Sequence, residues 1–135
     1  HKYWTPPTRK VVQPYIDFGN RYNVPIYCGE TGENSDEWIT SFRQMLDSNN
    51  IGWHFWPYKK MDNSRCMISF KQPESYHIVS AYADTARESF KNIQKFRPHD
   101  MEAVKKALSD FLLNCRFENC YLNDGYIKAL AFKVQ

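Results

Sequence analysis

Two short apolar runs, Val24-Pro25-Ile26-Tyr27-Cys28 and Ile51-Gly52-Trp53-His54-Phe55-Trp56, decide how this chain reads. Each has the length and composition of a buried strand. Between them Ser35 is placed to cap a helix. Asp36 and Glu37 follow in its first turn, where unpaired N–H groups favour negative charge. Trp38, Ile39, Phe42, Met45 and Leu46 recur at helical spacing, and Asn49-Asn50 ends the segment. A strand, a helix and a second strand in this order predict a parallel pair with a crossover helix. Gly29-Glu30-Thr31-Gly32-Glu33-Asn34 reads as the loop after the first strand. Alternation puts Ile26, Cys28 and Glu30 on one face, and Gly52, His54 and Trp56 on one face of the second strand.

Upstream, Pro6-Pro7 makes a turn and Thr8 can cap a helix to about Asn20. Val11, Val12, Tyr15, Ile16 and Phe18 give that helix an apolar stripe, and Pro14 within it predicts a kink. Downstream, Pro57-Tyr58-Lys59-Lys60 leads to a turn around Met61-Asp62-Asn63, and Cys66 to Phe70 has the makings of a short strand. Glu74 to about Gln94 reads as a helix with Ile78, Val79, Tyr82 and Ala83 on one side. Pro98 breaks the chain and Asp100 caps a further helix carrying Met101, Val104, Leu108, Phe111 and Leu112. A last helical stretch covers Tyr126 to Ala131. Two strands do not make a stable sheet alone. The pattern therefore predicts a slice of a larger α/β domain over residues 1–94 and a helical extension over 95–135.

The 135 residues carry 18 basic and 15 acidic side chains, a net charge of +3. That balance does not give the clustered basic face a nucleic-acid partner needs. No apolar run approaches the ~20 residues of a membrane span. The first residues lack both an initiator Met and a signal-peptide layout, which predicts a processed or partial chain. Cys28, Cys66, Cys115 and Cys120 form no Cys-x-x-Cys pair and the histidines are scattered, so no zinc site is expected. Cys115 and Cys120 are near enough in sequence to pair in an oxidising compartment, or to remain thiols packed in a helix or turn. Aromatic residues make up 16% of the chain. They fill cores, and they also offer flat apolar platforms on which a pyranose ring can lie.

In parallel α/β folds reactive groups collect at the C-terminal ends of strands. Three clusters qualify: His1-Lys2-Tyr3-Trp4, Gly29-Glu30, and Trp53 to Trp56 with Tyr58-Lys59. Their order and spacing resemble glycoside hydrolase family 5, a family of (β/α)8-barrel endoglucanases, mannanases and related enzymes. His1-Lys2-Tyr3 is similar to the His-x-Tyr at the end of that family's sixth strand. Pro25 to Glu30 is similar to the seventh, which ends in the nucleophile, and Ile51 to Lys59 to the eighth, with Trp56 at the sugar-stacking position.

The resemblance implies the C-terminal part of a TIM barrel, from the end of strand 6 through strand 8 and its helix. It implies a retaining glycosidase that cleaves a β-linked glucan or mannan through a covalent intermediate on Glu30. Tyr3 would donate its hydroxyl to keep Glu30 ionised. His1 would hold the site geometry, Trp56 would stack under the sugar, and Trp4, Tyr58 and Lys59 would contact glycan further out. The implied partner is a polysaccharide or oligosaccharide, without metal or organic cofactor, nucleic acid or membrane, in a secreted or periplasmic setting. The family's acid/base, an Asn-Glu pair on the fourth strand, has no match here. The chain is therefore expected to need the N-terminal remainder of a barrel and to be inactive alone. The alternative is a catalytically inactive carbohydrate-binding domain using Trp56, Trp4 and Tyr58, or an interaction domain whose aromatics are all core.

Overall fold

The computed structural model describes residues 6–86 and 88–133. They divide into two compact units. The first comprises the chain up to Ser69 together with the segment from Leu122, and the second runs from Phe70 to Tyr121. The segment from residue 95 onward, read above as an extension, thus contributes to both.

In the first unit, helix α1 (Arg9–Tyr22) contains Pro14 and buries Val12. Thr8 occupies its N-cap with extended backbone, although its hydroxyl caps nothing. An exposed ladder from Arg9 to Gln13 (3.0 Å) and from Gln13 to Asp17 (2.8 Å) runs along its surface. Asn23 ends the helix in the left-handed region at φ 51° and returns its N–H to the Gly19 carbonyl.

Strand β1 is Tyr27–Gly32, three residues later at its start than the sequence predicts. Pro25 has no N–H to give to a ladder, and the Val24 N–H is spent on the Gly19 carbonyl at 3.0 Å. Residues 29–32, predicted as loop, are strand. Helix α2 (Asp36–Ser48) begins where predicted, with the Ser35 hydroxyl accepting the Trp38 N–H at 3.3 Å. It leads into β2 (Gly52–Trp56), which pairs with β1 in parallel. The β1–α2–β2 unit is the predicted strand, crossover helix and strand.

Two apolar clusters form the core on the helix side of this pair. One gathers Val12, Phe42, Leu46 and Ile51, with Cys28 and Trp53 against it. The other gathers Ile39, Tyr126, Ala129 and Leu130, with Trp53 and Phe55 against it. Tyr126, Ala129 and Leu130 come from helix α6 (Asp124–Ala129) and its C-cap, so the end of the chain packs onto α2.

Polar groups tie the same elements together. Arg43 on α2 donates to the Ala129 carbonyl at 3.0 Å and to Asp47 at 2.8 Å, and Asp47 accepts the Trp53 indole N–H at 2.8 Å. Beyond β2 lie β3 (Lys59–Met61) and β4 (Ile68–Phe70), in a small sheet of order β3-β4-β5 with β5 at Tyr121–Leu122. Asn123 secures the loop between β3 and β4. Its side-chain amide donates to the Cys66 carbonyl at 2.8 Å and to the Ser69 hydroxyl at 2.6 Å.

The second unit is helical. The single helix expected over 74–94 is a turn at Glu74–Tyr76, helix α3 (His77–Ala86) and helix α4 (Phe90–Phe96). The Ser89 hydroxyl accepts the Asn92 N–H at 3.2 Å and so starts α4 afresh. Asp100 caps α5 (Met101–Asn114) as predicted, accepting the Ala103 N–H at 3.0 Å. Phe111 packs edge-on against Phe70 and stacks on Tyr76, and the Ser75 hydroxyl reaches Asp110 at 2.8 Å. Cys115 and Cys120 are not joined by a disulfide; the Cys120 thiol donates to the Arg116 carbonyl at 3.2 Å.

Gly32 is the tightest point of the first unit. Its φ is +129°, and a Cβ there would overlap the Trp56 carbonyl oxygen and the Tyr126 hydroxyl. We expect Gly32→Ala to destabilise the protein by about 2–3 kcal/mol through backbone strain and overpacking. Gly29→Ala, whose Cβ would enter open space, should stay within ~0.5 kcal/mol. Urea unfolding midpoints of the two variants check this contrast; equal effects would contradict it.

Candidate functional site

The register of β1 on β2 carries an irregularity at Glu30. Tyr27 pairs with Gly52 and Cys28 with Trp53; the pairing then resumes at Thr31 with Phe55 and Gly32 with Trp56. Gly29 and Glu30 together oppose His54, a β-bulge.

Before the bulge, Cys28 and Trp53 pack toward the helices, and the Tyr27 ring lies over Gly52 on the opposite, open face. After it, Thr31 (3% exposed) takes the helix side with Phe55. Glu30, next to Thr31, is exposed and lies within the bulge, where the ladder and its alternation are interrupted. The sequence reading put Cys28 and Glu30 on one face; the extra residue interrupts the alternation between them, while the Cys28 thiol still reaches the Glu30 carbonyl. Gly52, His54 and Trp56 share the open face, as predicted, and all are exposed. Glu30 and Trp56 are thus both exposed toward the C-terminal ends of the paired strands.

Trp56 ends β2 and is 51% exposed. Its peptide bond to Pro57 is cis. Its carbonyl oxygen accepts a 2.8 Å hydrogen bond from the Tyr126 hydroxyl. Tyr58 is 53% exposed, and its backbone carbonyl accepts the Ile68 N–H at 3.0 Å. Lys59, half-buried, opens β3. Lys60 on the same strand forms an ion pair with Glu33, just after β1. These residues stand at and beyond the C-terminal ends of the parallel strands. His1, Tyr3 and Trp4 lie outside the described residues.

A cavity of about 760 Å³ lies along α1, α2 and β1. It is mainly apolar, with Tyr15, Ile26, Cys28, Trp38 and Phe42 in its lining and Glu30 among the few polar contributors. Burial pushes the Cys28 thiol above its ordinary pKa, so it is neutral near pH 7, and it hydrogen-bonds the Glu30 carbonyl at 3.4 Å.

Sequence reasoning missed two residues of this site. Tyr126 lies 70 positions from Trp56, and nothing local distinguishes it from any other aromatic on a short amphipathic helix. Gly32 reads in the sequence as one more loop glycine, and its close approach to the Trp56 carbonyl shows only once it ends β1 opposite Trp56.

Similarity to curated proteins is partial. Over 82 residues the chain is 34% identical to Endoglucanase C of Acetivibrio thermocellus and, to the same degree, to an endoglucanase of a Clostridium species. The match covers 56% of this chain and 24% of those relatives, so the chain spans about a quarter of the curated proteins it matches. No family model and no solved structure matches. Over the matched stretch the chain is related to endoglucanases, which is a link to cellulase-type glycoside hydrolases.

The buried phenol gives the site a pH signature. Tyr126 is 1% exposed, and burial, with smaller contributions from Cys66 and Asp36, raises its pKa far above the ordinary value. The unfolded chain releases this proton above about pH 10, while the folded chain keeps it. The folded state then binds more protons, so stability present below pH 10 is lost as pH rises, by ~1.4 kcal/mol per unit. We expect Tyr126→Phe to flatten this alkaline limb in thermal melts between pH 9 and about 11. An identical limb in the variant would show that other groups cause it.

Proposed function

We propose that this chain is the C-terminal part of the barrel of a retaining glycoside hydrolase acting on a β-linked glucan, with Glu30 as nucleophile. In this reading β1 and β2 are the seventh and eighth strands of a (β/α)8 barrel. The observation that supports it most is that Glu30 is exposed and the Trp56 indole half exposed toward the C-terminal ends of the paired strands β1 and β2. The partial similarity to endoglucanases agrees with it.

The chemistry follows from that pairing. A pyranose lying on Trp56 presents its apolar C–H face to the indole. Glu30 attacks the anomeric carbon while a second carboxyl group, about 5–5.5 Å away, protonates the departing oxygen. A covalent glycosyl–Glu30 ester results, and water activated by the second carboxylate hydrolyses it with net retention. The second carboxyl belongs, in this proposal, to the remaining barrel strands, since the matched stretch is only 24% of the relatives' length. His1 and Tyr3 would flank Glu30, with Tyr3 donating to the carboxylate. Trp4, Tyr58 and Lys59 would line outer subsites. A polymer too large to import places such an enzyme outside the cytoplasm.

The half-exposed Trp56 and Tyr58 also fit glycan binding without turnover. Glu30→Gln in the full-length protein separates the two readings. For the hydrolase, kcat on a soluble β-glucan should fall roughly 10³-fold or more, because no nucleophile remains to form the ester. Oligosaccharide affinity should be largely kept. Wild-type turnover in the variant would rule out Glu30 as nucleophile, and affinity without turnover in the unaltered protein would favour the binding domain.

A further inference from the structure

We infer that Tyr126 is a positioning residue for Trp56, through which the C-terminal helix sets the orientation of the indole platform. The inference rests on the reading of Trp56 as a sugar platform.

The geometry is specific. Trp56 is the last residue of β2, and Gly32, its register partner on β1, has no side chain to support it. What holds its backbone is the Tyr126 hydroxyl, donated to the Trp56 carbonyl oxygen at 2.8 Å. Tyr126 cannot swing away, because its ring is buried with Ile39, Ala129 and Leu130.

Helix α6, which carries it, is pinned at both ends. Asn123, its N-cap, bonds the Cys66 carbonyl and the Ser69 hydroxyl. The Ala129 carbonyl accepts from Arg43 at 3.0 Å. On the other side the same carbonyl and hydroxyl leave no room for a Cβ on Gly32. The Trp56 peptide is thus clamped between a bare strand backbone and a buried phenol, while its indole stays half exposed. A phenylalanine would fill the same space and leave the carbonyl without its donor.

The test uses the full-length protein with 5-fluorotryptophan incorporated. The fluorine resonance of Trp56 is identified by its loss in Trp56→Phe. Tyr126→Phe should move or split that resonance while those of Trp38 and Trp53 stay. It should also weaken cellotetraose binding about tenfold, the order of the net contribution of one hydrogen bond. Placing 4-aminophenylalanine at position 126 restores a donor and should restore both readouts. Leu130→Ala serves as the stability control, since it truncates the same core without touching the carbonyl.

An unmoved Trp56 resonance with unchanged affinity in Tyr126→Phe would overturn the inference. So would an equal loss of affinity in Leu130→Ala at a temperature where both variants are folded. Unchanged affinity in Trp56→Ala would instead overturn the platform reading, and the fluorine shift would still report whether Tyr126 holds Trp56. Should Tyr126→Phe fail to fold, the 4-aminophenylalanine variant decides alone: wild-type resonance and affinity are expected, and a displaced resonance overturns the inference.

Discussion

The first unit depends on one hydrogen bond made far from where local pattern could announce it: the Tyr126 hydroxyl to the Trp56 carbonyl oxygen. The carbonyl belongs to the last residue of β2 and would be costly to leave unpaired against a buried ring. The donor arrives on the last helix of the chain. For the two to meet, β1 must present bare backbone between them, and Gly32 does so. The end of the chain is thereby part of the unit that carries Glu30 and Trp56.

Around that bond the apolar clusters and the polar groups cooperate. Tyr126, Ala129 and Leu130 complete the surface of α2 that Ile39 begins. Arg43 spans from the α6 carbonyl end to Asp47, and Asp47 holds the Trp53 indole. Each member of this relay is only partly buried or exposed, so its net energy is modest. Its effect is geometric, because it fixes α2, α6 and β2 in one register. Trp53 points to the helices and so leaves Trp56, three residues on, to the open face.

The β-bulge at Gly29 and Glu30 is the second decisive constraint. The inserted residue leaves Glu30 unpaired and exposed beside the buried Thr31, toward the strand ends where Trp56 also stands. Bulges are common beside active sites because they re-aim one side chain without rebuilding the sheet. The chemistry proposed for Glu30 thus sits at a local irregularity within an otherwise regular parallel pair.

What the sequence determined by itself was local. The Ser35 and Asp100 caps, the apolar spacing of α2, the strand read over Ile51 to Trp56 and the face shared by Gly52, His54 and Trp56 all follow from short-range rules of capping and alternation. Those rules need only neighbours a few residues away. Tertiary structure decided the rest. Pro25 and the Asn23 cap on Gly19 displaced β1 toward Gly32, and the bulge interrupted the alternation at Glu30. The last helix was drawn back onto α2 to place Tyr126 behind Trp56. Each of these is settled by partners across a strand pair or from the far end of the chain, and one-dimensional periodicity carries no record of such partners.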